Sequence, residues 1–165
     1  MTAIPELDSA GREFLLISLG GSPDGRNTVI DWATEAIAAG RSVTVHVQDQ
    51  LDLSRIEQSV AGCHTGARIA LAGPEYDVMQ ALAAIRACGA LPCEVRSSVT
   101  STGTISLFCP HCAHTHRVET RPGSAHECPS CRLLLDIRVH RNSHHGSYLG
   151  SVAAEHPLST RGVQL

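Results

Sequence analysis

The sequence predicts an α/β protein: a parallel sheet with helices on both faces, followed by a small C-terminal four-cysteine zinc ribbon. Short apolar segments alternate three times with segments of helical periodicity, which is typical of right-handed βαβ units. Two Cys-x-x-Cys pairs then follow at the spacing of a tetrahedral metal site. We therefore expect an α/β domain over residues 12–100, a ribbon over 104–150 and a flexible tail over 151–165.

The first βα unit begins with an apolar run over residues 14–19, which is typical of a strand buried on both faces. Gly20 and Gly21 end this strand. Apolar residues then recur at helical spacing, so a helix is expected over residues 27–39 with Gly40 as its C-terminal stop.

Two further units repeat the pattern. Alternating valines over residues 43–47 predict the second strand, and a helical stripe over 53–60 predicts a short helix before Gly62. Residues 68–72 predict the third strand, and the stripe over 78–85 predicts a helix after it.

The connection to the ribbon is expected to be short. Residues 94–99 predict a fourth strand, and the Ser/Thr-rich residues 97–103 predict a linker. Within the ribbon, alternating apolar residues predict strands over 105–109, 116–119 and 133–139.

The glycine turn after the first strand lies where an α/β sheet can bind phosphate. Gly20 and Gly21 do not form a G-x-G-x-x-G motif, and Asp24 would repel a phosphate at close range. Asp49 follows the second strand, where an acidic group can bind a ribose, although loop aspartates are usually only solvated. We therefore predict a degenerate nucleotide site and expect no nucleotide binding.

The four cysteines of the two pairs are Cys109, Cys112, Cys128 and Cys131. Thiolates three residues apart on a tight turn can face one ion, and a proline after each first cysteine helps to set that turn. Four cysteines leave no open coordination position, so we expect a structural Zn²⁺ without catalytic function.

Iron is the alternative metal, and it would make the protein an electron carrier of the rubredoxin type. Rubredoxin turns usually place glycine after the second cysteine, whereas Ala113 and Arg132 follow here, and the gap between rubredoxin pairs is longer. A [2Fe–2S] cluster on the same four thiolates is a further option.

Polar residues next to the cysteines are expected to offset the charge of the metal-thiolate group. We predict this role for His111, His114, Arg117 and Arg132. His111 could instead be a ligand, but four cysteines at ideal spacing make this the weaker alternative.

Composition excludes several functions. The formal charge of −3 gives no basic field for nucleic acid, and the absence of lysine excludes a P-loop lysine and Schiff-base chemistry. No apolar run reaches the length of a membrane span, and no secretion signal is visible. We expect a cytoplasmic protein in which Cys63, Cys88 and Cys93 are buried thiols.

The α/β part resembles the NAD-binding half of the ferredoxin reductase family, in particular reductases of the phthalate dioxygenase reductase type. The resemblance is carried by residues 16–21 and by Ala72-Gly73-Pro74 with Met79. It implies that Gly73 belongs to the degenerate nucleotide site. Ala72 stands where that family has a cysteine, and no flavin-binding barrel precedes the domain, so hydride transfer by this chain is not expected.

The combination of this domain, the cysteine pairs and the segment 140–150 resembles the small subunits of bacterial dimethylamine monooxygenases. This resemblance implies an accessory subunit of an NAD(P)H-dependent haem oxygenase, in a hetero-oligomer whose other subunits carry FMN, [2Fe–2S] and haem. His140, His144 and His145 are expected to be polar surface residues, the alternative being that one of them approaches a haem or metal in a partner subunit, and Tyr148 is expected to anchor the segment to a partner. A free-standing nucleotide-binding module is the remaining alternative.

Overall fold

The computed structural model describes residues 6–8, 10–142 and 145–153. Its strands and helices, in chain order, are β1 Glu13–Leu19, α1 Pro23–Ala38, β2 Ser42–Gln48, α2 Leu53–Ala61, β3 Arg68–Pro74, α3 Glu75–Ala87, β4 Val95–Ser101, β5 Thr104–Cys109, β6 His114–Glu119, β7 Ala125–Glu127, β8 Leu134–Asn142 and β9 Ser147–Val152. None of the described helices is both long enough and apolar enough to span a membrane.

Sheet A is parallel, as predicted, and its strand order within the described residues is β2-β1-β3-β4. Phe14 and Leu16 of β1 pack with α1 on one face, and Leu15 and Ile17 pack with α2 and α3 on the other. Because both faces of the central strand are covered, its sequence is a continuous apolar run without alternation.

Helix α1 begins at Pro23, earlier than the predicted residue 27. Ser22 is its N-cap residue and Pro23 takes the first helical position, where a missing N–H costs no hydrogen bond. The start was missed because these first turns carry few apolar residues. Trp32 lies at the centre of the α1 face and is 2% exposed.

Sheet B is curled, and its strand order within the described residues is β6-β5-β9-β8-β7. The three predicted ribbon strands correspond to β5, β6 and β8, whereas β7 and β9 were not predicted. Strand β9 lies parallel to β5 and antiparallel to β8. Such non-local pairing leaves only a weak local signal in so short a strand.

The position of β9 corrects the expected docking segment. Tyr148 lies in β9 and is buried inside this chain, so it does not anchor a partner. Strand β9 continues to Val152, two residues into the predicted tail. His144 and residues 154–165 lie outside the described part of the chain.

The predicted linker is also corrected. Strand β4 continues through Ser101 and pairs with β3, so only a short turn containing Gly103 separates the two sheets. The Ser/Thr-rich composition was interpreted as a loop, but threonine also favours strands when a neighbouring strand supplies backbone hydrogen bonds.

Helix α3 joins the two sheets through polar contacts. The Tyr148 hydroxyl donates a buried hydrogen bond of 2.6 Å to the Glu75 carboxylate. The Gln80 side chain donates to the Gly146 carbonyl at 2.9 Å. The Arg117 guanidinium lies 4.6 Å from the centre of the Tyr76 ring. The first half of α3 is thus fixed against sheet B.

Candidate metal centre

The strands of sheet B bring the two cysteine pairs to one point. Cys109 is the last residue of β5 and Cys112 lies shortly before β6, while Cys128 directly follows β7 and Cys131 lies shortly before β8. The four sulfur atoms all lie within 4.8 Å of one another. Strand pairing therefore assembles the predicted ligand set from residues separated in sequence.

The spacing of the sulfur atoms fits a tetrahedral metal ion. The Cys109 and Cys131 sulfurs are 3.7 Å apart, and the Cys112 and Cys128 sulfurs are also 3.7 Å apart. Metal–sulfur bonds of about 2.3 Å in a tetrahedron place sulfurs about 3.8 Å apart. Because Cys109 and Cys128 are fully buried, water has little access to such a site.

Backbone N–H groups stabilise the thiolates. The N–H groups of His111 and Cys112 donate to the Cys109 sulfur, and the Leu133 N–H donates to the Cys131 sulfur. Ala113 and Arg132 adopt positive φ values of 57° and 64°, the left-handed conformation that glycine would adopt at lower cost. The absence of glycine therefore does not argue against iron, contrary to the sequence-based expectation.

Histidines next to the site favour the thiolate form of Cys112. A hydrogen bond with His116 is the main contribution that lowers the pKa of Cys112 to about 5, and His114 adds to the effect. Burial, in contrast, raises the pKa of Cys109. A metal ion requires thiolates, so these histidines support metal binding.

His116 was missed as a neighbour of the metal site. Its Nε2 atom lies 3.5 Å from the Cys128 sulfur and 3.9 Å from the Cys112 sulfur. The strand period provided a signal, because His116 and the core residue Val118 lie on the same face of β6. To identify the residues that lie next to the sulfur atoms, alternation along the strand is a better guide than proximity to the cysteines in sequence.

Two of the four predicted neighbours have other contacts. Arg117 lies over the Tyr76 ring, and Arg132 forms an ion pair of 2.6 Å with Glu127. His114 contacts Cys112 as expected. The side chain of His111 is exposed, and the four sulfurs complete the cluster without it.

The glycine turns of the predicted nucleotide site are tightly packed. A Cβ atom on Gly20 would lie 2.6 Å from the Asp77 carboxylate, and a Cβ atom on Gly73 would lie 2.7 Å from the Leu19 carbonyl oxygen. Asp49 forms an ion pair with Arg26 across the Gly21 turn. Close packing therefore accounts for Gly20 and Gly73, while Gly21, whose Cβ would meet only ordinary contacts, has a positive φ of 63°.

The remaining cysteines differ from the expectation. Cys63 is half-buried, and burial raises the pKa of its thiol. Cys88 and Cys93 are exposed, so the prediction that they are buried thiols was wrong. Cys88 is the C-cap residue of α3, and Cys93 lies in the 3-10 turn Pro92–Glu94 before β4.

Comparison with known proteins identifies the family. The chain is 30% identical, over 161 residues, to the protein named heme-dependent oxidative N-demethylase delta subunit from Ectopseudomonas mendocina (strain ymp). The alignment covers 94% of this chain and 87% of that protein. The chain belongs to this delta-subunit family.

No protein-family model matches the chain, and no solved structure matches it. Membership of the delta-subunit family therefore rests on sequence similarity along nearly the whole chain. This extent includes both the α/β part and the cysteine pairs.

Proposed function

We propose that this chain is an accessory subunit of a multi-subunit, NAD(P)H-dependent haem oxygenase that oxidatively demethylates dimethylamine. It stabilises the complex and does not carry the chemistry. The observation that carries the proposal is the similarity, over 94% of the chain, to a protein named as a delta subunit of a haem-dependent N-demethylase. The closed shell of four cysteines supports a structural role.

The metal of this subunit is proposed to be Zn²⁺, held by Cys109, Cys112, Cys128 and Cys131. The tetrahedral spacing of the sulfurs and the N–H donors to them support the assignment. Zinc would supply folding free energy to sheet B and no redox chemistry.

The partners are proposed to be larger subunits that carry NAD(P)H, FMN, [2Fe–2S] and haem, in a cytoplasmic hetero-oligomer without nucleic acid. An exposed apolar surface supports such a partner. Ile30 and Ile37 are exposed on the same helical face as Arg26, which forms an ion pair with Asp49 directly after β2. Val45 and Val47 are exposed on the α1 side of this edge strand.

Purification of the tagged chain from its native host tests the proposal. We expect one zinc per chain and co-purification of two larger oxygenase subunits. A Val45→Glu variant should recover less of these subunits, because it places a charge in the apolar surface. Val139→Glu is the matched control, since Val139 is an exposed valine of β8. Iron without partners would overturn the proposal.

A rubredoxin-like electron carrier is the second candidate. The left-handed residues Ala113 and Arg132 and the N–H groups directed at sulfur favour it, since the same turn can hold iron. Visible absorption of the isolated chain separates the candidates, because zinc-loaded protein is colourless and ferric thiolates absorb strongly.

For the degenerate site at Gly20, Gly21 and Gly73 we propose that no nucleotide binds. The Asp77 carboxylate next to Gly20 supports this, because it would repel phosphate. Titration with NADPH should give no saturable signal at micromolar concentration. Saturable binding that is lost on Gly21→Leu substitution would support a nucleotide-binding module instead.

A further inference from the structure

A crevice of about 500 Å³ lies at the carboxyl edge of sheet A, beside the boundary between β1 and β3. The helices that follow these two neighbouring strands, α1 and α3, lie on opposite faces of the sheet, and open α/β sheets bind ligands at such a point. Its walls include Gly20, Asp49, Pro74, Tyr76 and Asp77 from the α/β part and Arg117 from β6. Sheet B thus closes one side of the crevice.

Asp77 is the unusual group in this wall. It is 4% exposed, and within the described part of the chain its carboxylate has no hydrogen bond or ion pair. An acidic side chain at the third position of a helix normally reaches back to the N-cap N–H. Here the N-cap is Pro74, which has no N–H, so the fold cannot supply this donor.

The neighbouring acid shows the contrast. Glu75 is also buried, but its carboxylate accepts a hydrogen bond from the Tyr148 hydroxyl. Buried carboxylates normally have such a donor because desolvation without one is costly. Asp77 has no such protein donor among the described residues, and its carboxylate is not one of the fully buried unpartnered groups but faces the crevice, which is large enough for a small molecule.

The charge of the crevice indicates what kind of group would supply the donor. The Asp77 oxygen is directed at Gly20, where a phosphate would have to bind, whereas the second acid of the wall, Asp49, is already ion-paired with Arg26. An anion is therefore disfavoured. A cation with N–H groups would satisfy the Asp77 carboxylate through a charge-assisted hydrogen bond.

Arg117 shows that a planar cation fits this wall. Its guanidinium stacks over the Tyr76 ring at 4.6 Å and is close enough to Asp77 to interact with its charge. It nevertheless forms no ion pair with Asp77 in the described structure. The ring face and the carboxylate are thus adjacent: Arg117 stacks on the ring and acts on the carboxylate only through its charge.

We propose that this crevice binds a small planar organic cation with paired N–H donors, of the amidinium or guanidinium class. Asp77 accepts its N–H groups, and its plane lies against Tyr76 in competition with Arg117. The site lies apart from the metal centre and does not rest on the proposed role in an oxygenase, because it uses neither the cysteines nor a partner subunit; its test uses the metal-loaded chain, in which sheet B is folded.

Titration of the full-length chain with benzamidine, followed by backbone amide NMR and calorimetry, tests the site. We expect saturable binding in the roughly millimolar range for so small a ligand, with shifts at residues 20–21 and 75–77. Asp77→Asn should weaken binding about tenfold or more. The control Asp31→Asn, which changes an exposed acid on α1, should not alter it.

The Arg117→Ala variant should change the affinity for benzamidine in the opposite direction from Asp77→Asn. If Arg117 competes with the ligand, its removal should strengthen benzamidine binding. Inorganic phosphate serves as the anionic probe and should not bind. The proposal is overturned by absence of saturable benzamidine binding, by equal binding to Asp77→Asn, or by phosphate binding that Arg117→Ala abolishes.

Discussion

At the scale of single residues, the turn after β1 is governed by close contacts. Gly20 has a φ of +71°, and a Cβ atom there would contact the Asp77 carboxylate and the Pro74 ring. The missing side chain therefore serves both backbone conformation and packing. Asp77 in turn remains buried without the N-cap donor that a residue other than proline would provide.

Gly20→Ala should destabilise the chain by about 3 kcal/mol or more, because positive φ strain and a steric overlap add together. Gly40→Ala separates the two causes. Gly40 has a φ of +69° but nothing within 4 Å of its Cβ position, so only about 1–2 kcal/mol is expected. Urea unfolding measures both, and equal losses would show that the contact with Asp77 is unimportant.

Asp77→Asn should stabilise the chain at neutral pH. Burial raises the pKa of Asp77, with Arg117 acting in the opposite direction, so ionisation is less favourable in the folded state. This penalty is absent below about pH 3.9, the ordinary pKa of an unfolded aspartate, and grows as pH rises through the folded pKa. Wild type should therefore lose stability relative to the variant over that range.

Urea unfolding of both proteins at several pH values measures this difference. Asp31→Asn is the control, because Asp31 is exposed, and its effect should stay within about 0.5 kcal/mol at every pH. If the free energies of unfolding of Asp77→Asn and wild type differed by the same amount at every pH, ionisation of Asp77 would not be the cause of the difference. The Arg117 and Asp49 side chains also face the crevice and should be kept intact in these measurements.

At the scale of elements, α3 is the helix that connects the two sheets through its contacts with both. Val78 and Ile85 of this helix pack in the apolar core beneath sheet A. Glu75 and Gln80, in its first half, form hydrogen bonds with residues of sheet B and of the turn before β9. The apolar contacts hold the helix in the α/β core, and the polar contacts fix the orientation of sheet B. Loss of one of these polar contacts should therefore weaken the packing of α3 against sheet B more than it weakens either apolar core.

Tyr148→Phe should destabilise the chain by about 1–3 kcal/mol, because it leaves the buried Glu75 carboxylate without its donor. Tyr76→Phe is the matched control, since the ring that Arg117 contacts is kept. It should change stability by less than about 0.5 kcal/mol. Thermal unfolding checks both variants. Equal melting temperatures of the two would show that the hydrogen bond between Tyr148 and Glu75 contributes little to stability.

At the scale of the whole molecule, stability has two separate sources. The α/β part has two apolar clusters, one on each face of sheet A. Sheet B has a single cluster, which includes the buried Cys109 and Cys128. Its folding should therefore depend on the metal, whereas the folding of sheet A should not.

Removal of the metal with a chelator should unfold sheet B and leave sheet A folded. Structural zinc can contribute about 10 kcal/mol or more, which exceeds what one small cluster supplies. Amide exchange of β5 and β6 should lose protection, while fluorescence of Trp32, the single tryptophan, should remain that of a buried ring. Protection of β5 that survives metal loss would contradict a zinc-dependent fold.

Cysteine variants provide a second route to the same conclusion. Cys128→Ser should lower the zinc content and make the amides of sheet B exchange faster with solvent, because it removes a buried ligand. Cys93→Ser should retain the metal, since Cys93 is exposed and lies outside the cluster. Metal analysis with amide exchange distinguishes these variants.

The sequence by itself determined the parallel sheet, its three helices and the four cysteines, because each leaves a local signal. Apolar periodicity defines β1–β3 and α1–α3 within a few residues, and the two cysteine pairs are defined by spacing. Tertiary structure alone decided the place of β9, the proximity of His116 to the sulfurs and the crevice that Arg117 closes. The place of β9 and the crevice depend on contacts between distant segments, which no local pattern could indicate, whereas alternation along β6 signals which face His116 occupies but not its distance from the sulfurs.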